Sequence, residues 1–133
     1  MQALSDGPPK GHVLAVDDCA AMRLVMQASL ESFGYSVQAV DSGWAALEAA
    51  RQGSFDAIVL DVEMPGLDGM AVGRALRSDP RTASAVIAMH SSVGEEAVRA
   101  GFDQFDAFVP KASSPRALGE SVDCLLRRRR RGI

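Results

Sequence analysis

The chain has 133 residues, 47% of them hydrophobic and 23% charged, which fits one globular domain with a hydrophobic core and excludes a disordered protein. No apolar run approaches the roughly 20 residues of a membrane span, and residues 1–11 contain no apolar signal-peptide core, so we expect no membrane contact and a cytoplasmic location. The net charge is −3, but the arginines at 127–131 carry +5 and leave −8 on the rest of the chain, which disfavours nucleic-acid binding by the domain.

Apolar runs bounded by turn residues alternate with segments of helical periodicity along the chain. We predict β-strands over residues 12–16, 35–40, 55–60, 85–90 and 106–109. We predict α-helices over residues 20–33, 44–51, 69–77, 94–100 and 115–127. Residues 1–11 are expected to be a flexible leader, 12–126 the folded domain and 127–133 a basic C-terminal tail. The arginines favour a solvated tail, with an extension of the last helix or an electrostatic contact as alternatives.

Strict alternation of strands and helices predicts a parallel sheet with helices on both faces. Five strands in a chain of this size favour the flavodoxin-like, doubly wound α/β fold with strand order 2-1-3-4-5. Ligands bind such sheets at the carboxyl ends of the strands, where the first and third strands are neighbours. The first strand ends in Asp17-Asp18 and the third in Asp61, so we expect these three carboxylates to converge in one crevice.

The predicted crevice contains the groups needed for phosphoryl transfer. Three carboxylates repel one another and require a cation, and all-oxygen ligands favour Mg²⁺ where phosphate is handled. Ser91 and Ser92 follow the fourth strand and offer hydroxyl groups; spacing favours Ser91. Lys111 follows the fifth strand and offers an ammonium group. A carboxylate nucleophile, a metal, a hydroxyl and an ammonium together indicate phosphoryl transfer.

These residues, in this order, carry a family resemblance. Asp17-Asp18, the run Asp61-x-x-Met64-Pro65-Gly66-x-Asp68-Gly69, Ser91 and Lys111 each follow a predicted strand. The set resembles the receiver domain of two-component response regulators, of the stand-alone chemotaxis-regulator type. The resemblance extends from about His12 to Leu126 and includes the flavodoxin-like fold.

The resemblance implies a role for each acidic residue. Asp61 is implied to be the phosphoacceptor, which receives a phosphoryl group from a sensor histidine kinase or a histidine phosphotransfer protein. Asp18 is implied to bind Mg²⁺ directly and Asp17 through water, with Asp61 and the backbone carbonyl of Glu63 as further metal ligands. We expect no enzymatic activity beyond catalysis of the chain's own phosphorylation and dephosphorylation.

The resemblance also implies a conformational switch. Ser91 is implied to close on the phosphoryl group, with Lys111 binding it as well, while the ring of Phe108 turns inward. A protein-binding surface then changes, so a downstream protein target is expected, together with a homodimer that forms on phosphorylation. Only Gly132 and Ile133 follow the arginines, so we expect either a stand-alone receiver or one domain of a longer protein.

The chain departs from the family pattern at three places. Ala112 follows Lys111 where the family usually has proline, so we expect a trans peptide bond there. The segment 101–106 is longer than usual, and we expect a reduced fourth helix. Glu63 places an acidic side chain beside the predicted site, and we hypothesise that it changes the lifetime of the aspartyl phosphate.

Several other residues have competing interpretations. Cys19 and Cys124 lack metal-site spacing and are interpreted as small buried or half-buried residues. His90 and Trp44 are interpreted as packing residues, and plain packing is also an alternative for Phe108. The alternatives for the whole chain are a degenerate receiver that binds proteins without phosphorylation, a hydrolase with an aspartate nucleophile, and a flavodoxin. The hydrolase is disfavoured by Glu63 where a second Asp is expected, and the flavodoxin by acidic residues where its phosphate loop should lie.

Overall fold

The computed structural model describes residues 7–132; residues 1–6 and 133 lie outside the described part of the chain. Residues 1–6 of the predicted flexible leader therefore lie outside it, and residues 7–11 lie within it. Lys10, at the end of that leader, is held in place. Its backbone N–H donates to the carbonyl of Gly34 at 2.8 Å, and its ammonium group pairs with Asp123 at 3.0 Å.

Within residues 7–132, five strands and five helices alternate as predicted. They are β1 (His12–Val16), α1 (Ala20–Ser32), β2 (Ser36–Val40), α2 (Gly43–Gln52), β3 (Ala57–Asp61), α3 (Gly69–Ser78), β4 (Val86–Ser91), α4 (Glu95–Gly101), β5 (Ala107–Pro110) and α5 (Pro115–Arg130). The strands form one parallel sheet in the order β2-β1-β3-β4-β5. The flavodoxin-like fold is confirmed.

Alternate side chains of the buried strands build two cores, one on each face of the sheet. Leu14, Leu60 and Met89 pack with residues of α2, α3 and α4 on one face. Val13 and Val59 pack with residues of α1 and α5 on the other. Burial on both faces explains why β3 and β4 are continuous apolar runs in the sequence.

The length of α4 agrees with the prediction, whereas α5 is longer than predicted. Helix α4 has only seven residues, which agrees with the expected reduction. Helix α5 continues to Arg130, so the interpretation of 127–130 as a solvated tail is wrong and the extension of the last helix is correct. Arginine has a high helix propensity, and its charge suits a helix C-terminus.

Three interpretations of single residues are also wrong. Cys19 and Cys124 are both exposed, and Trp44 has 67% of its surface exposed. Cys19 is the N-cap of α1, and Trp44 lies in the first turn of α2, so neither faces a core.

Among residues 7–132, no helix combines the length and the apolar content that crossing a membrane requires.

Candidate functional site

The three predicted carboxylates meet at the carboxyl end of the sheet. Asp61 is the last residue of β3, and Asp17 directly follows β1, whose Val16 pairs with Leu60. Oxygens of Asp17, Asp18 and Asp61 lie within 4.8 Å of one another. Asp17 and Asp61 are buried, whereas Asp18 is exposed. We call these three residues the carboxylate cluster.

Lys111 reaches the carboxylate cluster although no proline follows it. Its Nζ lies 2.8 Å from Asp61 Oδ1 and 3.0 Å from Asp17 Oδ2. Its backbone N–H donates to the carbonyl of Ser91 at 2.8 Å, which fixes it beside the end of β4. The peptide bonds of residues 7–132 are all trans, as expected after Lys111. Burial alone would lower the pKa of Lys111, but the ion pairs with Asp61 and Asp17 outweigh burial and raise it, so the ammonium form is kept.

Burial makes the ionised form of Asp61 unfavourable. It raises the pKa of Asp61 to about 6, and the charge of Asp17 adds to the rise while Lys111 opposes it. Asp17 Oδ2 is buried and accepts no hydrogen bond of regular geometry within the described chain, although Lys111 is near. Clustered hard oxygen ligands with excess negative charge fit Mg²⁺, so these residues are suited to hold it.

The two serines after β4 have different surroundings. Ser91 is 1% exposed, and its Oγ accepts a hydrogen bond from the backbone N–H of Val93 at 2.8 Å. Ser92 is exposed, and its Oγ donates to Glu63 Oε1 at 3.3 Å. This contact links the loops after β3 and β4 beside the cluster. The sequence does not predict this contact, because nothing in its local pattern indicates which side chains face each other across two loops.

His90 and Arg23 border the carboxylate cluster from the α1 side. Burial and the charge of Lys111 lower the pKa of His90 to about 4, so its ring is neutral at pH 7. His90 is buried, as its interpretation as a packing residue requires. Arg23 was not singled out from the sequence; its Nη1 donates to the backbone carbonyl of Asp17 at 2.8 Å. Its position in the first turn after Asp18 was the available signal.

Phe108 is the last member of an aromatic row. Its ring centroid lies 6.2 Å from that of Phe105, which lies 6.2 Å from that of Phe102. The guanidinium of Arg99 lies over the ring of Phe105 at 4.2 Å from its centroid. We call Phe102, Phe105 and Phe108 the aromatic row. Their spacing of three residues was the signal for it, but only the fold brings the rings together.

A family model and several known proteins match this chain. Residues 13–123 match the family model described as response regulator receiver domain. The response regulator MprA of Mycobacterium leprae is 40% identical over 119 residues, which cover 88% of this chain and 51% of MprA. The sensor protein GacS of Pseudomonas syringae pv. syringae is 43% identical over 76 residues, covering 54% of this chain and 8% of GacS. This chain thus spans about half the length of MprA and a small part of GacS.

A solved structure has the same fold over nearly the same length. The crystal structure of the response regulator protein TrrA from Thermotoga maritima, in complex with Mg²⁺-BeF, superposes with a TM-score of 0.78 at 27% identity. The superposition covers 86% of this chain and 97% of that chain.

Proposed function

Because this chain belongs to the response regulator receiver domain family, we propose that it is a Mg²⁺-dependent phosphoacceptor switch of two-component signalling. The observation that carries the proposal is the position of Lys111 within 3.0 Å of both Asp17 and Asp61, at the strand ends where Asp18 also lies. A nucleophilic carboxylate, a cation site and a fixed ammonium group are then in one place.

In the proposed reaction, a carboxylate oxygen of Asp61 attacks the phosphorus of a phosphohistidine. A phosphorus–oxygen bond forms, the phosphorus–nitrogen bond breaks, and the electron pair of that bond stays on the histidine nitrogen. Lys111 is in place to hold a phosphoryl oxygen once Asp61 has become an acyl phosphate and no longer carries a carboxylate charge. Mg²⁺ would be held by Asp17, Asp18, Asp61 and the backbone carbonyl of Glu63, and when bound it neutralises charge on the phosphoryl oxygens.

The proposed switch begins at Ser91. Its hydroxyl, which now accepts from Val93, turns to donate to a phosphoryl oxygen, and the loop after β4 follows it. Phe108 then moves inward, and the surface around α4 and β5 changes its affinity for a protein target.

The proposed partners follow from the chemistry of the donor and of the output. The donor is a sensor histidine kinase or a histidine phosphotransfer protein, and the downstream partner is a protein. Phosphorylation is also proposed to favour a homodimer. We place these events in the cytoplasm, which the two exposed free cysteines support, since disulfides are rare there.

The experiment is intact-mass spectrometry after incubation with acetyl phosphate, with and without Mg²⁺. The wild-type chain should gain one phosphoryl group only with Mg²⁺, and Asp61→Asn should gain none. Asp41→Asn is the matched control, because Asp41 follows β2 at the same edge of the sheet and lies outside the carboxylate cluster. A folded wild-type chain that gains no phosphoryl group would instead indicate a degenerate receiver that binds proteins without phosphorylation.

A further inference from the structure

The C-terminal turn of α5 carries more positive charge than the helix requires. Arg127–Arg130 form its last turn, and Arg131 is the C-cap. All five are exposed. Of these five, only Arg127 forms an ion pair within residues 7–132, with Asp123 at 3.1 Å. A helix C-terminus presents only about half a negative charge. We call Arg127–Arg131 the arginine end.

The arginine end lies near the amino ends of the strands, and the carboxylate cluster lies at their carboxyl ends. Arg129 donates to the backbone carbonyl of Ser84, which lies two residues before β4 begins at Val86. The ladder pairs Val86 with Ala57 at the start of β3, and Asp61 is at the far end of the same strand. A ligand on the arginine end therefore leaves Asp61 accessible.

The surroundings of the arginine end discriminate between classes of anionic partner. The large apolar side chains exposed in residues 7–132 are on α1 and α2, so none accompanies the arginines to enter a bilayer. Helix α5 has no aromatic residue on which a base could stack. A long polyanion would also meet a body with a net charge of −8.

A short acidic segment avoids these conflicts. It can contact the exposed Arg128, Arg130 and Arg131, which form no ion pair within residues 7–132, without displacing Asp123 from Arg127. Guanidinium groups bind carboxylates through paired, charge-assisted hydrogen bonds. We propose that the arginine end binds a short acidic segment of a partner protein and that this contact does not depend on the phosphorylation of Asp61.

The test is fluorescence anisotropy of a fluorescein-labelled decaglutamate peptide titrated with the full chain. The triple variant Arg128→Gln/Arg130→Gln/Arg131→Gln should bind at least about tenfold more weakly than the wild-type chain. The matched control removes the same charge elsewhere, by Arg51→Gln/Arg74→Gln/Arg81→Gln at exposed positions, and should change binding by less than about twofold. After phosphorylation with acetyl phosphate and Mg²⁺, the wild-type chain should bind the peptide as the unphosphorylated chain does.

Thermal unfolding must first show that both triple variants are folded. We expect this result because all six substituted arginine side chains are exposed. Equal weakening in the two triple variants would overturn the proposal, because it would indicate attraction by overall charge alone. Absence of wild-type binding would also overturn it. Tighter binding to a duplex oligonucleotide or to vesicles containing phosphatidylglycerol than to the peptide would assign the arginine end to nucleic acid or membrane instead.

Discussion

The carboxylate cluster and the segment between α4 and β5 are held in place by different means. Asp17 and Asp61 follow neighbouring buried strands, so the backbone ladder of the sheet fixes their separation. Residues 102–106 belong to no helix or strand. Backbone hydrogen bonds hold the two ends of this segment, from the N–H of Phe102 to Val98 and from the N–H of Asp106 to Ile87, and side chains hold the rest. The single side chain of Arg77 donates both to the carbonyl of Gln104 at 2.9 Å and to the carboxylate of Asp106 at 2.9 Å.

This difference separates a rigid site from an adaptable surface. The carboxylate cluster is in place before any phosphoryl group arrives. The side chains around Phe105 form contacts that would have to rearrange in the proposed inward movement of Phe108, which suits a surface that has to change.

Removal of Phe105 should have the largest effect on stability and should leave the chemistry at Asp61 intact. Phe105 is 8% exposed and joins both neighbours in the aromatic row. We expect Phe105→Ala to lower the free energy of unfolding by about 3 kcal/mol, measured by urea unfolding. The yield of phosphorylated protein from acetyl phosphate, measured below the unfolding transition, should stay close to that of the wild-type chain. A parallel loss of phosphorylation would show that the two regions are not separate.

Asp61→Asn should stabilise the fold in the absence of Mg²⁺. The pKa of Asp61 is about 6 in the folded chain, against an ordinary value of 3.8 in the unfolded chain. Ionisation of Asp61 therefore destabilises the fold as the pH rises through this interval. We expect a gain of about 2 kcal/mol at pH 7 that disappears near pH 4. Urea unfolding in buffer with a chelator measures it.

Added Mg²⁺ should narrow the difference in free energy of unfolding between Asp61→Asn and the wild-type chain, since the proposed binding of Mg²⁺ would stabilise the folded wild-type chain. The control Asp41→Asn, at an exposed position, should change stability little at either pH. Destabilisation by Asp61→Asn at pH 7 would contradict the unfavourable burial of this carboxylate.

Glu63→Ala should change the lifetime of the aspartyl phosphate. Glu63 lines an open groove of about 610 Å³ together with Val62, the residue that follows Asp61. Its carboxylate can accept a hydrogen bond from a water molecule that attacks the phosphoryl group. We expect dephosphorylation to slow by about threefold, measured by the decay of phosphorylated protein. Glu63→Gln keeps the size of the side chain without its charge and separates the two effects. Faster decay would indicate that Glu63 repels water, and an unchanged rate would reject the hypothesis.

Asp123→Asn should have the smallest of these effects on the free energy of unfolding. Burial raises the pKa of Asp123, but hydrogen bonds from Tyr35 and Lys10 outweigh burial and hold it below its ordinary value. We expect a loss of about 1 kcal/mol at pH 7 that fades as the pH falls below about 4, since a lowered carboxyl pKa stabilises only above the unfolded value. Asp103→Asn, at an exposed position, is the control. A loss that is independent of pH would contradict this account.

The sequence predicted the fold and the strand-end residues because both depend on local patterns. Buried parallel strands are continuous apolar runs, and the polar residue that follows each run is placed by topology alone. This pattern predicts Asp17, Asp61 and Lys111 at the strand ends and, through the strand order, the convergence of the carboxylates.

The sequence could not predict features that depend on side chains meeting across the fold. The contact of Ser92 with Glu63 and the aromatic row join elements that are distant in the chain or irregular in structure. The exposure of Cys124 and Trp44 depends on which face of a helix meets the sheet. The roles of Ser91 and Phe108 remain predictions, because they concern a phosphorylated state.

The central claim is that Asp61 itself carries the phosphoryl group, and its most direct test is chemical mapping of the site. The chain is phosphorylated with acetyl phosphate and Mg²⁺, reduced with borohydride, which converts an aspartyl phosphate to homoserine, and digested for tandem mass spectrometry. Homoserine at position 61 alone is the predicted result. Homoserine at position 17 or 18, or at none of the three in a chain that gained a phosphoryl group, would contradict the account.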